Sequence, residues 1–344
     1  MEGPVKIALV GLGWWGQKML SVLSSAPDDI KVVRAVEPNL DAVRDICAEK
    51  GVTLSAAYDD ALNDCEVEAV VLATPHSLHT DQIAKAVAAG KHVFCEKPLA
   101  LTAEEAFRSV ALCANAGLVL GMGHERRWEP PIADMLAKVD AGELGRIQQI
   151  EANFSHDKFV GMDPSNWRVQ ASEAPAGGMT ATGIHLLDLS VRLLGRAESV
   201  LCICEQLSSK LPQGDTVAAY VKFAGGGTSY VSASLSNPFM SRFTVYGSNG
   251  WIDIRDKAHV EAPDGWIVTS AMAGGPIETV EIGKAEPVKD NLVSFARAVR
   301  GQETYPITAD HLVDNIALLE AVFASSRSGQ IERVAQPAAA KVGA

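Results

Sequence analysis

Residues 5–16, VKIALVGLGWWG, constrain the fold of this chain more than any other stretch. Six mostly apolar residues predict a buried strand, and the glycines then predict a turn that opens a helix near Trp15. In a G-x-G-x-x-G turn, Gly11 allows the tight bend, Gly13 lets the backbone approach a pyrophosphate, and Gly16 lets the helix lie close to the strand. The first N–H groups of that helix would face the phosphates. Glycines also mark ordinary tight turns, so the motif alone leaves that alternative open.

An acidic residue follows the second predicted strand. The apolar run 32–36 ends at Glu37, and Pro38 then takes the chain out of the strand. Dinucleotide-binding folds place an acid here to accept hydrogen bonds from the adenosine ribose hydroxyls. Because a carboxylate repels a 2′-phosphate, Glu37 favours NAD over NADP. The alternative is a solvated charge at a strand end, and the preceding glycine turn favours the ribose role.

Composition excludes several classes of protein. A chain of 344 residues suits about two domains. Its net charge of -12 argues against nucleic acid or an anionic membrane as a main partner. No apolar run is long enough to span a bilayer, and the first strand begins too early to leave room for a signal peptide. The six cysteines show no zinc-type spacing. We therefore expect a cytoplasmic protein with reduced thiols and no metal.

Strands and helices alternate through residues 1–123, the predicted first domain. Further strands are predicted at 67–73, 92–96 and 118–123, with helices between them, one of them capped by Thr80. Such alternation predicts a doubly wound, mainly parallel sheet, in which ligands bind beyond the carboxyl ends of the strands. The polar residues at those ends include Thr74, His76, His79, Glu96, Lys97 and the run 124–127. Lys97 precedes proline and so is held extended, although a snorkelling surface lysine is the alternative.

The pattern changes in residues 124–334, the predicted second domain. Runs 147–155, 199–207, 215–223, 228–235 and 242–246 predict strands, and their alternation of apolar with polar residues predicts a large, mostly antiparallel open sheet in an α+β domain. Late helices are expected to return toward the first domain, and residues 335–344 to form a loose tail. A helix predicted from about Ala181 to Leu194 places His185 near its start.

Four motifs resemble those of the Gfo/Idh/MocA oxidoreductase family. They are Gly11-x-Gly13-x-x-Gly16, Ala73-Thr74-Pro75-x-x-x-His79, Gly90-Lys91-His92-Val93-x-Cys95-Glu96-Lys97-Pro98 and Gly183-Ile184-His185-x-x-Asp188. The resemblance implies an N-terminal Rossmann domain and a C-terminal domain whose open sheet often serves subunit association, hence a homodimer or homotetramer. Members oxidise a secondary alcohol of a sugar, cyclitol or related polyol, or run the reverse reduction, with NAD or NADP.

The resemblance also implies a set of site residues. Lys97 and His185 would be the catalytic pair. The cofactor-binding residues would be Gly11, Leu12, Gly13, Trp14, Trp15, Gly16, Glu37, Thr74, Pro75, His76, His79, Glu96 and Lys97. The substrate-binding residues would be Lys97, Arg126, Trp167, Arg168, Thr182 and His185.

Our mechanistic hypothesis is that His185 takes the proton of the substrate hydroxyl while Lys97 stabilises the developing alkoxide. As the base, Lys97 would need its pKa lowered by roughly three units, so histidine is favoured and the reverse assignment stays open.

Two departures from the family pattern bear on the function. Many members carry aspartate four residues before the histidine, where this chain has Ala181, so that only Thr180 and Thr182 offer polar groups nearby. His76 and the pair His124–Glu125 also differ from common family residues. Two other functions stay open: an NAD-dependent glycosidase that acts by transient oxidation and elimination, and a non-catalytic NAD-binding regulator.

Overall fold

A computed structural model describes residues 3–335, so all of the predicted loose tail except Ala335 lies outside the described residues. The chain divides into two compact units. The first comprises the residues up to Ala100, Glu104–Glu125 and Glu286–Leu312. The second comprises Leu101–Ala103, Arg126–Ala285 and the residues from Val313 onward. Each unit has its own sheet.

The first unit contains a six-stranded parallel sheet in the order β3-β2-β1-β4-β5-β6. Its strands are β1 (Val5–Val10), β2 (Ile30–Val36), β3 (Thr53–Ser55), β4 (Ala69–Leu72), β5 (His92–Cys95) and β6 (Leu120–Met122). The central strands are apolar along their whole length because helices cover both faces of the sheet. The strand order reverses between β1 and β4, and ligands of doubly wound sheets bind at such a switch point. The predicted Rossmann sheet is confirmed.

Six helices belong mainly to this unit. They are α1 (Trp14–Leu23), α2 (Leu40–Glu49), α3 (Tyr58–Leu62), α4 (His79–Ala88), α5 (Ala103–Asn115) and α8 (Pro287–Val299). The prediction that Thr80 caps α4 is wrong, because a 3₁₀ turn over His76–Leu78 runs directly into the helix and leaves Thr80 inside it. Helix α8 comes late in the chain and packs against α1, β2 and β5, where Phe295 meets Phe94 edge-on with ring centroids 5.6 Å apart.

The second unit contains a nine-stranded sheet in the order β14-β13-β12-β11-β7-β10-β9-β8-β15. Its strands are β7 (Ile147–Ser155), β8 (Ala197–Glu205), β9 (Thr216–Phe223), β10 (Thr228–Ser234), β11 (Met240–Gly247), β12 (Gly250–Asp256), β13 (Trp266–Met272), β14 (Ile277–Ile282) and β15 (Glu332–Arg333). Strands β7 and β10 run parallel and the other neighbours antiparallel, which confirms the mostly antiparallel sheet. The sequence did not indicate β12–β14, because β13 and β14 show no alternation between a buried and an exposed face.

Helices contact this sheet at several strands. Helix α6 (Pro130–Asp140) contacts β12, and α9 (Ala309–Ser328) accepts at Ser325 a hydrogen bond from the Cys202 N–H of β8. A third is α7 (Ile184–Leu194). Helix α7 contacts β7 and β10, and a π-helical turn over Met179–Gly183 leads into it. The sequence predicted an ordinary helix from Ala181; the wider first turn was not foreseen. No helix among residues 3–335 is long and apolar enough to cross a membrane.

Candidate active site

The glycine turn of the first unit has no room for side chains. Gly11 has φ +88°, and a Cβ there would lie 2.7 Å from the carbonyl oxygen of Ala73, at the end of the neighbouring β4. A Cβ on Gly16 would overlap with the carbonyl oxygen of Gly11. Both glycines are therefore required by close backbone approach at the switch point of the sheet, where the backbone is left open to a phosphate.

Glu37 is fixed beside this turn by two backbone amides. Its Oε2 accepts from the N–H of Leu12 at 2.9 Å, and its Oε1 accepts from the N–H of Asn39 at 3.1 Å. Each carboxylate oxygen has more than one acceptor direction, so both can still accept from hydroxyl groups. The structure thus brings the acid from the end of β2 to the glycine turn, as a ribose-binding role requires.

The other residues of the turn differ in how far they are exposed to solvent. Leu12 is 1% exposed, so only its backbone can meet a ligand, whereas Trp14 is 41% exposed. Gly13 is also exposed, and Trp15 is half-buried. The two indole rings meet at 67° with centroids 5.3 Å apart. With its glycine cradle and fixed carboxylate, the described turn fits a dinucleotide.

Residues from the ends of β4 and β5 form a second part of this site. The Thr74 hydroxyl donates to Oε1 of Gln82 at 2.6 Å, and His76 is buried. His79 is completely buried, with Nδ1 2.8 Å from the carbonyl oxygen of Pro98 and Nε2 3.1 Å from that of Thr74. His79 therefore joins the Thr74–Pro75 and Lys97–Pro98 segments through their backbones.

Glu96 and Lys97 follow β5 and differ in exposure. The Glu96 carboxylate is buried directly against Gly123, where a Cβ would lie 2.6 Å from Oε2. The Lys97 side chain is half-buried, and the Lys97–Pro98 peptide bond is cis. Gly123 was not predicted as a site residue. Glycine is required at this position because the end of β6 lies against the end of β5, a contact that the sequence alone does not show.

His185 lies in the second unit at the start of α7. It is 4% exposed and directly follows the π-helical turn. In that turn the Thr182 hydroxyl donates to the carbonyl of Phe154 at 2.8 Å, and the Thr180 hydroxyl donates to the carbonyl of Pro175. π-Helical turns within α-helices occur often at functional sites. Ala176, just before the turn, has φ +53°, a costly conformation for a residue with a side chain.

A buried ion pair lies one helical turn beyond His185. Arg127 donates from Nε and Nη2 to the two carboxylate oxygens of Asp188, each at 2.7 Å. Both side chains are almost fully buried. Asp188 occurs in the family motif but was not predicted as a site residue. The pair holds α7 to the segment that begins the second unit and leaves Arg127 with its charge compensated.

Arg126 is a buried cation of the second unit. Its side chain is only 2% exposed, and its predicted place near substrate or cofactor stays a prediction. It pairs with Asp256 at 2.8 Å and with Glu129 at 3.3 Å, and donates to the Ser241 hydroxyl at 3.0 Å. Its guanidinium also lies 5.4 Å from the ring centroid of Phe154. Within the second unit Arg126 therefore joins α6, β7, β11 and β12.

Trp167 and Arg168 form a short 3₁₀ turn capped by Asn166, which accepts from the Arg168 N–H at 3.0 Å. The Arg168 guanidinium stacks 4.2 Å from the Trp167 ring centroid, a cation–π contact. Gln213 donates to the Arg168 carbonyl at 3.3 Å. Both predicted substrate residues are half-buried in the second unit.

Ala181 packs against an apolar cluster, so the position where many family members carry aspartate has no acid here. The cluster consists of Phe159, Val169, Leu211 and Leu235. The two threonine hydroxyls of the π-helical turn donate to backbone carbonyls, Thr180 to that of Pro175 and Thr182 to that of Phe154. Among the described residues, no group of three or more histidine, cysteine or acidic side chains is placed to hold a metal.

Comparison with known proteins identifies the family. Residues 5–124 match the model of an oxidoreductase family with an NAD-binding Rossmann fold, and residues 132–253 match the GFO/IDH/MocA C-terminal domain. The first match places the chain in the class of oxidoreductases with an NAD-binding Rossmann domain. Since the two matches together span most of the chain, the protein belongs to the Gfo/Idh/MocA family.

Relatives of this chain carry dehydrogenase names with different coenzymes. It is 28% identical over 340 residues, 95% of each chain, to a Bacillus subtilis (strain 168) protein named scyllo-inositol 2-dehydrogenase (NAD(+)). It is 24% identical over 310 residues, 90% of this chain and 93% of the other, to D-xylose 1-dehydrogenase (NADP(+)) 2 of Haloferax volcanii. Its fold is similar to that of a Desulfitobacterium hafniense oxidoreductase, with a TM-score of 0.87 at 22% identity, covering 97% of this chain and 99% of the other.

Proposed function

We propose that this protein is an NAD-dependent dehydrogenase that oxidises a secondary hydroxyl of a sugar, a cyclitol or a related polyol. The observation that carries the proposal is the Glu37 carboxylate, held by the N–H of Leu12 beside a glycine turn without room for side chains. The names of the relatives, which include an inositol dehydrogenase and a xylose dehydrogenase, support the substrate class.

The preference for NAD rests on charge. The named relatives use different coenzymes, so sequence similarity alone does not decide between NAD and NADP. A carboxylate fixed at the ribose position accepts hydrogen bonds from two hydroxyls, whereas it repels a 2′-phosphate. Because Glu37 is fixed by two amides, turning it away would break both hydrogen bonds.

The chemical roles follow from residue type and from the family resemblance. Bound NAD supplies the hydride acceptor. His185 is the base that takes the hydroxyl proton, since an imidazole accepts a proton near neutral pH. Lys97 donates a hydrogen bond to the oxygen as its negative charge develops. Since Ala181 lies against apolar side chains, His185 acts without a carboxylate one helical turn before it.

Compensated arginines favour a neutral substrate. A phosphate or carboxylate on the substrate would need an arginine whose charge is not already compensated. Arg126 and Arg127 each form a buried ion pair, Arg126 with Asp256 and Arg127 with Asp188. A compensated guanidinium attracts an anion far less than an isolated one, so uncharged polyols suit this unit better.

The direct test measures reduced nicotinamide by its absorbance while the purified protein is offered polyols and aldoses with NAD or NADP. Turnover with NAD is expected, and Lys97→Met and His185→Ala should each lower kcat by about 100- to 10,000-fold. Lys85→Met, a change of the exposed Lys85 on α4, is the matched control and should leave kcat unchanged. Near-native rates in both site variants would contradict the assignment.

The same assay separates the alternatives. Release of an aglycone without net reduction of NAD would identify the transient-oxidation glycosidase. Coenzyme binding without turnover of any polyol would identify a regulator. A clear preference for NADP would contradict the role of Glu37.

We also propose a homodimer or homotetramer that associates through the sheet of the second unit. Ile203, Tyr220 and Tyr230 are exposed, and strand pairing places them on one face. Light scattering coupled to size exclusion should give a dimer or tetramer, and Tyr220→Asp with Tyr230→Asp should lower the mass. A monomeric wild-type protein would contradict association. The cytoplasmic location stays a prediction.

A further inference from the structure

A buried carboxylate holds the loop that connects β8 to β9. Asp215 is fully buried, and its side chain accepts hydrogen bonds from the backbone N–H groups of Leu207 at 3.0 Å, Ser208 at 2.8 Å and Ser209 at 2.6 Å. The Thr216 hydroxyl adds a fourth at 3.0 Å. Residues 206–214, called here the 206–214 loop, are therefore held by hydrogen bonds to the single carboxylate of Asp215.

The charge of Asp215 is stabilised by these donors. Burial raises the pKa of the Asp215 carboxyl, but the hydrogen bonds from Leu207, Ser208 and Ser209 outweigh burial and hold the pKa well below its usual range. An amide in the same place would keep one acceptor oxygen and put an NH₂ group against backbone N–H donors. The loop thus depends on a carboxylate rather than on any polar side chain of this size.

The 206–214 loop contacts the segment that leads into His185. The carbonyl of Gly214 lies so close to Gly177 that a Cβ on Gly177 would overlap with its oxygen. The carbonyl of Gly177 in turn accepts from the N–H of Ala181, four residues before His185. Leu211 packs in the apolar cluster against which Ala181 lies. Two contacts therefore run from the loop to the π-helical turn.

The same loop contacts the Trp167–Arg168 turn. Gln213 donates from Nε2 to the carbonyl oxygen of Arg168, and Leu211 shares its cluster with Val169. Gln213 is 5% exposed, and its Oε1 has no hydrogen-bond partner among residues 3–335. A buried acceptor without a partner destabilises a fold, so the stability of the unit does not account for a glutamine here.

We propose that the 206–214 loop, fixed by Asp215, positions both His185 and the Trp167–Arg168 turn, which makes Asp215 and Gln213 positioning residues for the dehydrogenase reaction. The inference rests on the proposed function, because it assigns the loop to the residues that would meet the substrate. The loop is remote from these residues in sequence, and the hydrogen bonds of Asp215 go to the loop and to Thr216. Its effect on the reaction is indirect.

The first experiment compares Asp215→Asn with the wild-type protein and with Asp264→Asn. Asp264 is an exposed carboxylate paired with Lys284, so its change removes the same charge without touching the loop. In Asp215→Asn, amide hydrogen exchange should become roughly tenfold faster in peptides covering 207–213 and also in 175–185, but not in 240–256. The kcat should fall by about 10- to 100-fold, because small displacements of a catalytic group have such effects. The Kd for NAD should stay within about twofold, since the coenzyme site of the first unit is unaltered.

Some outcomes of that experiment would overturn the proposal. They are faster exchange confined to 207–213, equally faster exchange throughout the second unit, or an unchanged kcat. Hydrogen exchange needs no substrate, so it tests the positioning claim even if the wild-type protein oxidises no polyol. A wild-type protein that oxidises no polyol would overturn the proposed function and leave the positioning claim to the exchange data.

The second experiment uses Gln213→Leu, which removes the contact with the Arg168 carbonyl and the acceptor without a partner. The midpoint of thermal unfolding should stay the same or rise, while the KM for the polyol rises by roughly fivefold or more. A structural role alone would lower the midpoint and leave KM unchanged, and that result would overturn the assignment of Gln213.

Discussion

The glycine turn of the first unit and the His185 segment of the second solve different physical problems. The turn excludes side chains, so that Gly11 and Gly16 bring backbones together and leave amides available to a ligand. The His185 segment does the opposite, because side chains buried around it carry full charges that must be paired. Arg127 with Asp188 is such a pair, and Asp188 follows His185 by about one turn of α7.

The contrast shows where each region is vulnerable. In the first unit a Cβ on Gly11 or Gly16 would meet a neighbouring backbone carbonyl, so an added methyl group should disturb the glycine turn. In the second unit the Arg127–Asp188 pair both holds α7, the helix that carries His185, and compensates two charges inside the core. Loss of that pair should therefore change stability and activity together.

The largest expected effect is on the stability of the second unit. Arg127→Met removes the guanidinium that pairs with the buried Asp188 carboxylate, so the free energy of unfolding should fall by about 3–5 kcal/mol, measured by urea denaturation. The double variant with Asp188→Leu should recover most of the loss, because two apolar side chains of similar volume carry no uncompensated charge. An Arg127→Met protein as stable as the wild type would contradict the claim that the second unit depends on paired buried charges.

The next effect falls on coenzyme binding alone. Gly16→Ala forces the turn away from Gly11, so the Kd for NAD should rise by about 100-fold in calorimetry, or ~2.7 kcal/mol. The urea midpoint of the second unit should not change. Gly90→Ala, at a positive-φ helix end with open space around it, controls for the backbone strain of replacing a glycine and should leave the Kd unchanged.

A smaller effect concerns the choice of coenzyme. Glu37→Ser removes the negative charge but keeps a hydroxyl, so the ratio of NADP to NAD affinity should increase by roughly tenfold, about 1.4 kcal/mol. The two affinities are measured by the same calorimetry. If the ratio stays the same, Glu37 does not set the preference, and its contact with Leu12 is only structural.

The smallest effect is on stability against pH in the first unit. Burial lowers the pKa of His92 from the ordinary value of 6.5, with Arg300 adding to the shift and Glu68 opposing it. The unfolded chain therefore binds the proton more readily, and stability should be lost as the pH falls below about 6.5 toward the folded pKa. His92→Gln does not titrate, so its urea midpoint should depend less on pH between 7 and 5. Equal pH dependence in both proteins would contradict the assignment.

Short-range patterns made much of the fold predictable. Strand β1, the glycine turn and α1 lie within 19 residues, and each follows from apolar periodicity and glycine spacing. The one-face burial of β9 was likewise visible in its alternation. Strands β13 and β14 were missed because exposure on both faces leaves no such period, and the start of α4 was missed because the 3₁₀ turn before it moved the helix boundary.

The candidate site was predictable where its contacts are local or carried by motifs. Glu37 was predicted to face the ribose because it ends the second strand after the glycine turn, and the structure brings its carboxylate to that turn. The role of Arg126 was not predictable in the same way, because its partner Asp256 lies 130 residues away. The apolar surroundings of Ala181 come from four residues spread over 159–235, which no local pattern joins.

By itself the sequence determined the alternating α/β unit, the second unit with its antiparallel sheet, and the residues whose type suits nucleotide binding and proton transfer. Periodicity and glycine spacing act over a few residues, and the sequence displays them directly. Only the tertiary structure decided which charges are paired, which glycines must accept a neighbouring backbone, and which loop supports the His185 segment. Those outcomes depend on burial, since a charge or a Cβ becomes costly only when distant parts of the chain close around it.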